Sequence, residues 1–430
     1  MAQTTIARLP AKRVVLGVGA AVAVLLLALV LALTLGGRKS RPPTGGTVPA
    51  QNVVGSIGVN VHLSYGDTTY SNFPAVMARL KALGVRHIRD GACAGCLQEN
   101  QRLRQLGQAG FRLDLIMGDP KNSTGTLQQN LASVRQIAPF VTSVEGPNEY
   151  DNQGDPQWLS KDIAYQRQLY KAVKGDPKLR HIQVIGPSLV NSASFAKLAG
   201  IGTSVDAVNL HAYPPNGGPP ATNVDEELRL AASEAPRKPV VTTETGFRTG
   251  GRPLPGNRPV NKRLEAAYMT SLVLEYYRAG IRRSYIYELL DERRDPQGTN
   301  PEEHFGLLNA NTRPKPAFTA LRNLIKILSV GGPASPLTLQ PPHVTATTLD
   351  GSPIHTLTMQ RGDGSQVLAV WETAPGRRPH PLELTVDQSA SLSIYRPAIG
   401  SGVQRQIGPL TDARLKLGAD PVLVVTGPGA

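Results

Sequence analysis

Eight short runs of β-branched, aliphatic and aromatic residues recur along the chain, at 57–62, 85–89, 111–117, 143–149, 183–188, 207–213, 239–244 and 283–288. Each has the length of a buried strand. The segments between them carry a different period. In the first, Phe73, Val76, Met77, Leu80 and Leu83 recur at helical spacing, with Pro74 at the start and Gly84 at the end, which are the start and stop signals of an amphipathic helix. Leu127, Leu131 and Val134 mark another, Ile163 and Leu169 a further one, and a long stripe covers 264–279. Strand then helix, eight times over, predicts a (β/α)8 barrel across residues 55–330 whose last helix spans 315–328. A doubly wound open sheet is the competing arrangement.

Past residue 330 the helical period stops. Short β-rich runs at 344–348, 354–359, 366–372, 382–386, 392–395 and 421–426 alternate with turns and predict an antiparallel β-sandwich over 336–430 that braces the barrel. At the other end, residues 14–37 are an unbroken apolar stretch, long enough to cross a hydrocarbon core of ~30 Å as one helix. Arg8, Lys12 and Arg13 precede it and Arg38, Lys39 and Arg41 follow, so the basic flanks give it almost no orientation. All domain-like sequence comes after the stretch, and no clear A-x-A site follows it. The expectation is a single-pass signal anchor, with a cytoplasmic tail at 1–13, a membrane span at 14–37, a Gly- and Pro-rich linker at 38–54 and an extracytoplasmic folded part. Signal-peptide cleavage is the alternative.

Composition narrows the function. With 430 residues, 40% hydrophobic and 18% charged, the chain is globular in class. A net charge of +14 would suit an acidic glycan, anionic lipid or nucleic acid, but no nucleic-acid fold signature accompanies it, so no nucleic-acid partner is expected and the charge reads as a generally basic surface. Cys93 and Cys96 are the only cysteines; without a second Cys/His pair to complete a zinc site, a local disulfide is the expectation outside the cytoplasm. No metal-ligand spacing or phosphate-cradling loop occurs, so neither metal nor cofactor is expected. Aromatic residues make up 5% of the chain, too few for a long stacking groove on a crystalline glucan.

In such a barrel the site collects where the strands stop. The first run ends in Asn60-Val61-His62, the second in Arg89-Asp90, the fourth in Glu145 to Glu149 through Gly-Pro-Asn, the sixth in His211-Ala212-Tyr213 and the seventh in Thr242-Thr243-Glu244. Glycosidic bonds are cleaved by two carboxyl groups on opposite sides of the anomeric carbon. The fourth and seventh strands lie across the barrel mouth from each other, so Glu149 and Glu244 are the candidate pair. A lone strand-end glutamate is more often a solvated loop residue, and a lone histidine a satisfied core residue; two carboxylates placed this way carry more weight. His211 and Tyr213 share strand parity and can both point inward. Glu145 is expected deeper in the barrel, while Asp151, Asp291 and Glu292 read first as solvated or capping carboxylates.

Over about residues 56–330 this ordered set resembles clan A of the glycoside hydrolases. Asn148-Glu149 is similar to the clan's acid/base signature after strand four, and Glu244 to its strand-seven nucleophile. Arg89 resembles its strand-two arginine, and His211-Ala212-Tyr213 its strand-six His-x-Tyr element, whose tyrosine hydrogen-bonds the nucleophile. His304-Phe305-Gly306-Leu307-Leu308, followed by Pro314-Lys315-Pro316-Ala317-Phe318, resembles the end of barrels that carry a β-sandwich, such as family 39. The resemblance implies a retaining hydrolase of poly- or oligosaccharides, with Glu149 as acid/base, Glu244 as nucleophile, and Asn148, Arg89, His211, Tyr213 and His62 around the sugar. It departs at strand eight, where the clan usually has an aromatic residue, often tryptophan, and this chain has Tyr285-Ile286-Tyr287-Glu288. Tyr287 is the candidate sugar platform; the alternative is that Glu288 faces the site. A non-catalytic glycan-binding or envelope-scaffolding barrel is the competing function, against which stand two intact carboxylates that a binder does not need.

Overall fold

The structure, a computed structural model, describes residues 46–332, 342–376 and 378–427. The expected tail and membrane span lie outside the described residues, as does the linker up to residue 45. Among the described residues no helix is long and apolar enough to cross a membrane.

The remainder of the expected linker is folded. Strand β1 (Val48–Pro49) pairs in parallel with the C-terminal strand Ile354–Gln360, and helix α1 (Ala50–Gly55) follows at once. Ala50, Val53 and Val54 are buried, so one apolar face pins this segment to the domain. From Val48 on the segment is therefore part of the fold and not a tether, which corrects that stretch of the expected linker 38–54.

The barrel strands are β2 (Ile57–Asn60), β3 (His87–Gly91), β4 (Arg112–Ile116), β5 (Val141–Glu145), β6 (Gln183–Ile185), β7 (Val208–His211), β8 (Val240–Thr245) and β9 (Arg283–Ile286). Helices α2 (Phe73–Leu83), α3 (Leu97–Gln108), α4 (Leu127–Ile137), α5 (Trp158–Gly175), α6 (Ser192–Lys197), α7 (Val224–Glu234), α8 (Lys262–Ala279) and α9 (Pro316–Leu328) alternate with them. All ladders are parallel, in the order β6-β5-β4-β3-β2-β9-β8-β7. A single bridge, Ile185 to Ala207, joins the two ends of that order, so the barrel is closed by one short contact.

Local chemistry explains the elements. Helix α2 starts where the Asn72 side chain accepts from the Ala75 N–H and Pro74 occupies the first turn; it stops at Gly84, whose φ of 87° lies in the left-handed region that glycine enters without penalty. Helix α4 opens on a reciprocal capping box between Thr126 and Gln129. Inside the barrel, a Cβ on Gly58 would sit 2.4 Å from the Tyr285 ring, so only glycine lets that ring fill the interior.

Beyond the barrel, β10 (Val344–Thr348), β11 (Ile354–Gln360), β12 (Gln366–Glu372), β13 (His380–Tyr395), β14 (Arg405–Leu417) and β15 (Val422–Thr426) form one sheet with β1. The two expected strands 382–386 and 392–395 are one strand, β13, with register shifts between Thr385 and Leu392. Its first half pairs with β10 and its last residues with β15, so the sheet folds over on itself at the irregularity. Alternating side chains of β12 and β15 enter two cores. Val367, Ala369, Trp371, Leu423 and Val425 pack with the barrel's apolar cluster, while Leu368, Val370, Val422 and Val424 fill the space inside the folded sheet. Both strands are therefore buried on both faces.

Helix α8 is one of the contacts between the two parts. Its Glu275, 0% exposed, accepts from Trp371 Nε1 at 2.9 Å and lies 2.7 Å from His355 Nδ1. Burial alone would push this carboxyl up; its hydrogen bonds to His355 and Arg278 hold it below the ordinary glutamate value.

Candidate active site

Arg89 is the hub of the barrel mouth. It is 2% exposed, and each of its five N–H groups has an acceptor. Nε and Nη2 donate to the two carboxylate oxygens of Glu145 at 2.6 and 3.0 Å. Nη1 donates to Asn60 Oδ1 at 2.9 Å and to Glu244 Oε1 at 2.7 Å, and Nη2 to Asn148 Oδ1 at 2.8 Å. A buried guanidinium with this saturation fixes the positions of two carboxylates and two amides from three strand ends. Asp114 on β4, fully buried, has its carboxyl pushed well up by burial and by Glu145.

Glu149 reaches the site by leaving the strand. Strand β5 ends at Glu145, not at residue 149 as the sequence suggests, and Glu149 has φ 49°, ψ 37°, an uncommon conformation for a residue with a side chain. Its backbone N–H lies 3.1 Å from both the carbonyl and the hydroxyl oxygen of Ser188. Gly146 makes the departure possible, since a Cβ there would meet Gln166 Oε1 at 2.1 Å and Pro187 N at 2.9 Å. Asn148 and Glu149 thereby face the mouth together.

Glu244 is more enclosed, 13% exposed against 34% for Glu149. Tyr213 donates to its Oε2 at 3.0 Å and Arg89 to its Oε1. Burial would raise its pKa, but His211, Arg89 and Tyr213 together hold it below the ordinary glutamate value. Register shifts flank this stretch of β8, between Leu210 and His211 on one side and Thr242 and Thr245 on the other. Such irregularities re-aim side chains, and here consecutive residues both enter the site: Thr243 Oγ1 lies 3.2 Å from His211 Nε2 while Glu244 meets Tyr213.

The hydrogen-bond chain fixes the histidine tautomer. Asn209 uses its Nδ2 on Glu145 and on the Gly186 carbonyl, so its Oδ1 accepts the Thr243 hydroxyl at 2.6 Å. Thr243 Oγ1 must then accept from His211 Nε2–H. The other ring nitrogen, Nδ1, sits 2.6 Å from Glu149 Oε1 and 3.5 Å from Glu244 Oε2. A contact of 2.6 Å requires a proton between the two atoms, and that proton is the one adjacent to the mouth. One oxygen of Glu149 and one of Glu244 lie within 4.8 Å of each other.

The other expected residues stand to one side. His62 stacks on Tyr65 at 4.6 Å and meets Tyr70 and Tyr287 edge-on at 5.6 Å each; burial lowers its pKa to about 4, so it is a neutral ring. Tyr287 continues the aromatic wall to Phe305, which touches Tyr213. Glu288 is 0% exposed and accepts from Tyr70 at 2.8 Å. His62, Glu288 and Glu292 bring donor atoms within 4.8 Å of one another, a grouping that no spacing motif encodes. Of the other loop carboxylates, Asp151 caps the backbone at Val190 and Asn191, and Asp291 pairs with buried Lys315 at 2.7 Å. Cys93 and Cys96 are joined by a disulfide in the loop after β3. Asn60 and Thr243 stood in the sequence only as strand-end residues without a role, and Asn209 was missed; the available signal was a polar residue inside an otherwise apolar strand run.

No protein-family model and no curated protein sequence matches the chain. Solved structures do. A family 39 glycoside hydrolase from the gut symbiont Bacteroides cellulosilyticus WH2 aligns with a TM-score of 0.64 over 88% of this chain and 82% of its own, at 17% identity. A monomeric β-xylosidase from Caulobacter crescentus CB15 aligns at 0.57 over 90% and 98%, with 14% identity, and a glucosidase from Croceicoccus marinus at 0.54 over 83% and 92%, with 10% identity. The barrel and its β-domain are thus similar to family 39 and other clan A glycoside hydrolases, and at these identities the likeness is one of fold.

Proposed function

We propose that the chain is a retaining glycoside hydrolase. The observation that carries the reading is the proximity of Glu149 and Glu244, oxygens within 4.8 Å with His211 Nδ1 in contact with both. Retaining enzymes hold their carboxyl groups ~5–5.5 Å apart, whereas inverting enzymes need ~6.5–9.5 Å to admit a water. The environments differ as the roles require. Arg89 and Tyr213 keep Glu244 ionised and aimed, and Glu149 is more open to solvent and shares a proton with His211.

In the first step a Glu244 oxygen attacks the anomeric carbon as its bond to the leaving oxygen breaks, and that oxygen takes the proton held by Glu149. In the second, Glu149, now a carboxylate, takes a proton from water, whose oxygen forms a bond to the anomeric carbon and displaces Glu244. Asn148, with its Oδ1 engaged by Arg89, presents its amide nitrogen to a sugar hydroxyl. Chemical rescue tests the assignment. Glu244→Gly should be inactive alone and regain activity on an activated glycoside with azide, yielding a glycosyl azide of inverted configuration. Glu149→Ala should retain the first step only for leaving groups that need no proton. Hydrolysis unaffected by either substitution would return the protein to the non-catalytic class.

The same reading places the enzyme outside the cytoplasm on a single-pass anchor. Its support is the apolar stretch at 14–37 and the Cys93–Cys96 disulfide, a bond of oxidising compartments. Protease added to intact cells should digest the domain; survival until lysis, or release of a form lacking the stretch, would contradict it.

A further inference from the structure

Carboxyl groups crowd the wall beside the catalytic pair. The chain as a whole carries +14, yet Tyr287, the central ring of the wall, feels Glu288, Glu244, Glu302 and Glu292 at once, and Tyr65 feels Glu292, Glu288, Asp90 and Glu244. The cations nearby make hydrogen bonds elsewhere. Arg293 is 3.4 Å from Glu292 but is shared with Asp67 at 2.5 Å and Glu303 at 3.5 Å. Arg248, the arginine that acts on Glu302, gives all three guanidinium nitrogens to Asn257 and the Gly250 carbonyl. Within the cluster, Glu288 Oε1 and His62 Nε2 are buried and have no hydrogen-bond partner, although Glu288 is 0% exposed. Groups so buried are expected to be satisfied when the site is in use.

We propose that, on the glycosidase reading above, the sugar bound beside Glu149 and Glu244 carries a free, protonated amino group, so that the substrate is a glycan containing unacetylated amino sugars. An ammonium suits this lining on each count. The exposed face of Tyr65 and the ring of Tyr287 attract a cation through their quadrupoles, and Glu288 and Glu292 offer acceptors within 4.8 Å of each other. A uronic acid or sulfated sugar would meet carboxyl groups rather than a cation, Glu288 among them with its carboxyl held well up by burial. A neutral sugar would leave crowded carboxyls uncompensated: burial first, then Glu303, pushes Glu292 up to about 7, and burial with Glu244 and Glu149 pushes Glu302 up. The global positive charge then reflects surface away from the mouth rather than an acidic substrate.

Two measurements decide it. Calorimetry of the Glu149→Gln protein, which binds without turning over, should give at least tenfold tighter binding of a glucosamine hexamer than of the N-acetylglucosamine hexamer or a uronate oligomer. Kinetics of the intact enzyme should give a kcat/KM ratio, free amine over N-acetyl, that falls about tenfold in either Glu292→Gln or Glu302→Gln. Preferred binding of neutral or acidic oligomers would overturn the proposal and leave the glycosidase reading standing. Glucosamine binding without hydrolysis of any glycoside would overturn that reading and keep the subsite. Stabilisation by Mn2+ or Ca2+ alone that is lost in Glu292→Gln would reassign the cluster to a metal and also overturn the proposal.

Discussion

Tyr213 and Thr243 divide the work of keeping the two carboxyl groups different. Tyr213 lowers the pKa of Glu244 through its hydrogen bond, so Tyr213→Phe raises it. The acid limb of the kcat/KM profile, where the nucleophile must be ionised, should then move to higher pH, an outcome read directly from the profile. Thr243 acts through His211. Thr243→Val leaves Nε2 without its acceptor and loosens the ring that shares a proton with Glu149; kcat should fall roughly tenfold or more for poor leaving groups and little for activated ones. Equal loss on both substrate types would make Thr243 merely structural. Arg89, Glu149, Tyr213 and Glu244 were legible in the sequence because each ends or follows a strand run. Thr243 was not, since strand parity puts it opposite Glu244, and only the irregular register of β8 brings both to one site.

At the scale of elements, the eight strands and the helices between them followed from periodicity because each buries one continuous apolar face. Two pieces did not. Helix α1 is a single turn and a half within a Gly- and Pro-rich region, too short to show a period, and its burial of Val53 and Val54 comes from tertiary contact. Strand β14 contains Gly408 and Pro409 and exposes most of its side chains, so it lacks the alternation that marks a half-buried strand. The contact between α8 and β12 was equally invisible, since Glu275 reads as an ordinary helix-surface acid. Glu275→Ala leaves Trp371 Nε1 and His355 without their carboxylate, and by the behaviour of broken buried pairs should cost about 3–5 kcal/mol in denaturant unfolding. A change within ~0.5 kcal/mol, the range of an ordinary surface substitution, would mean that the β-domain does not brace the barrel through this residue.

For the whole molecule, buried carboxyls set the pH dependence of stability. Burial raises Glu99 to about 9 and Asp162, Glu234 and Glu265 to about 8. A carboxyl raised in the folded state contributes stability fully below its unfolded pKa of about 4, and loses it as pH climbs through the folded value. Lowered carboxyls such as Glu244 and Glu275 run the other way, but their contribution is lost only as pH falls below the ordinary carboxylate range of about 4. Thermal stability should therefore decline between pH 5 and pH 9, and Asp162→Asn with Glu234→Gln should flatten the decline; a Tm that rises over that interval would contradict this. The central claim is narrower than stability, and it concerns the distance between Glu149 and Glu244. Proton NMR of the first sugar released by the wild-type enzyme, recorded before mutarotation, tests it most directly: the account predicts the anomer with the configuration of the substrate, and an inverted first-formed anomer would contradict it.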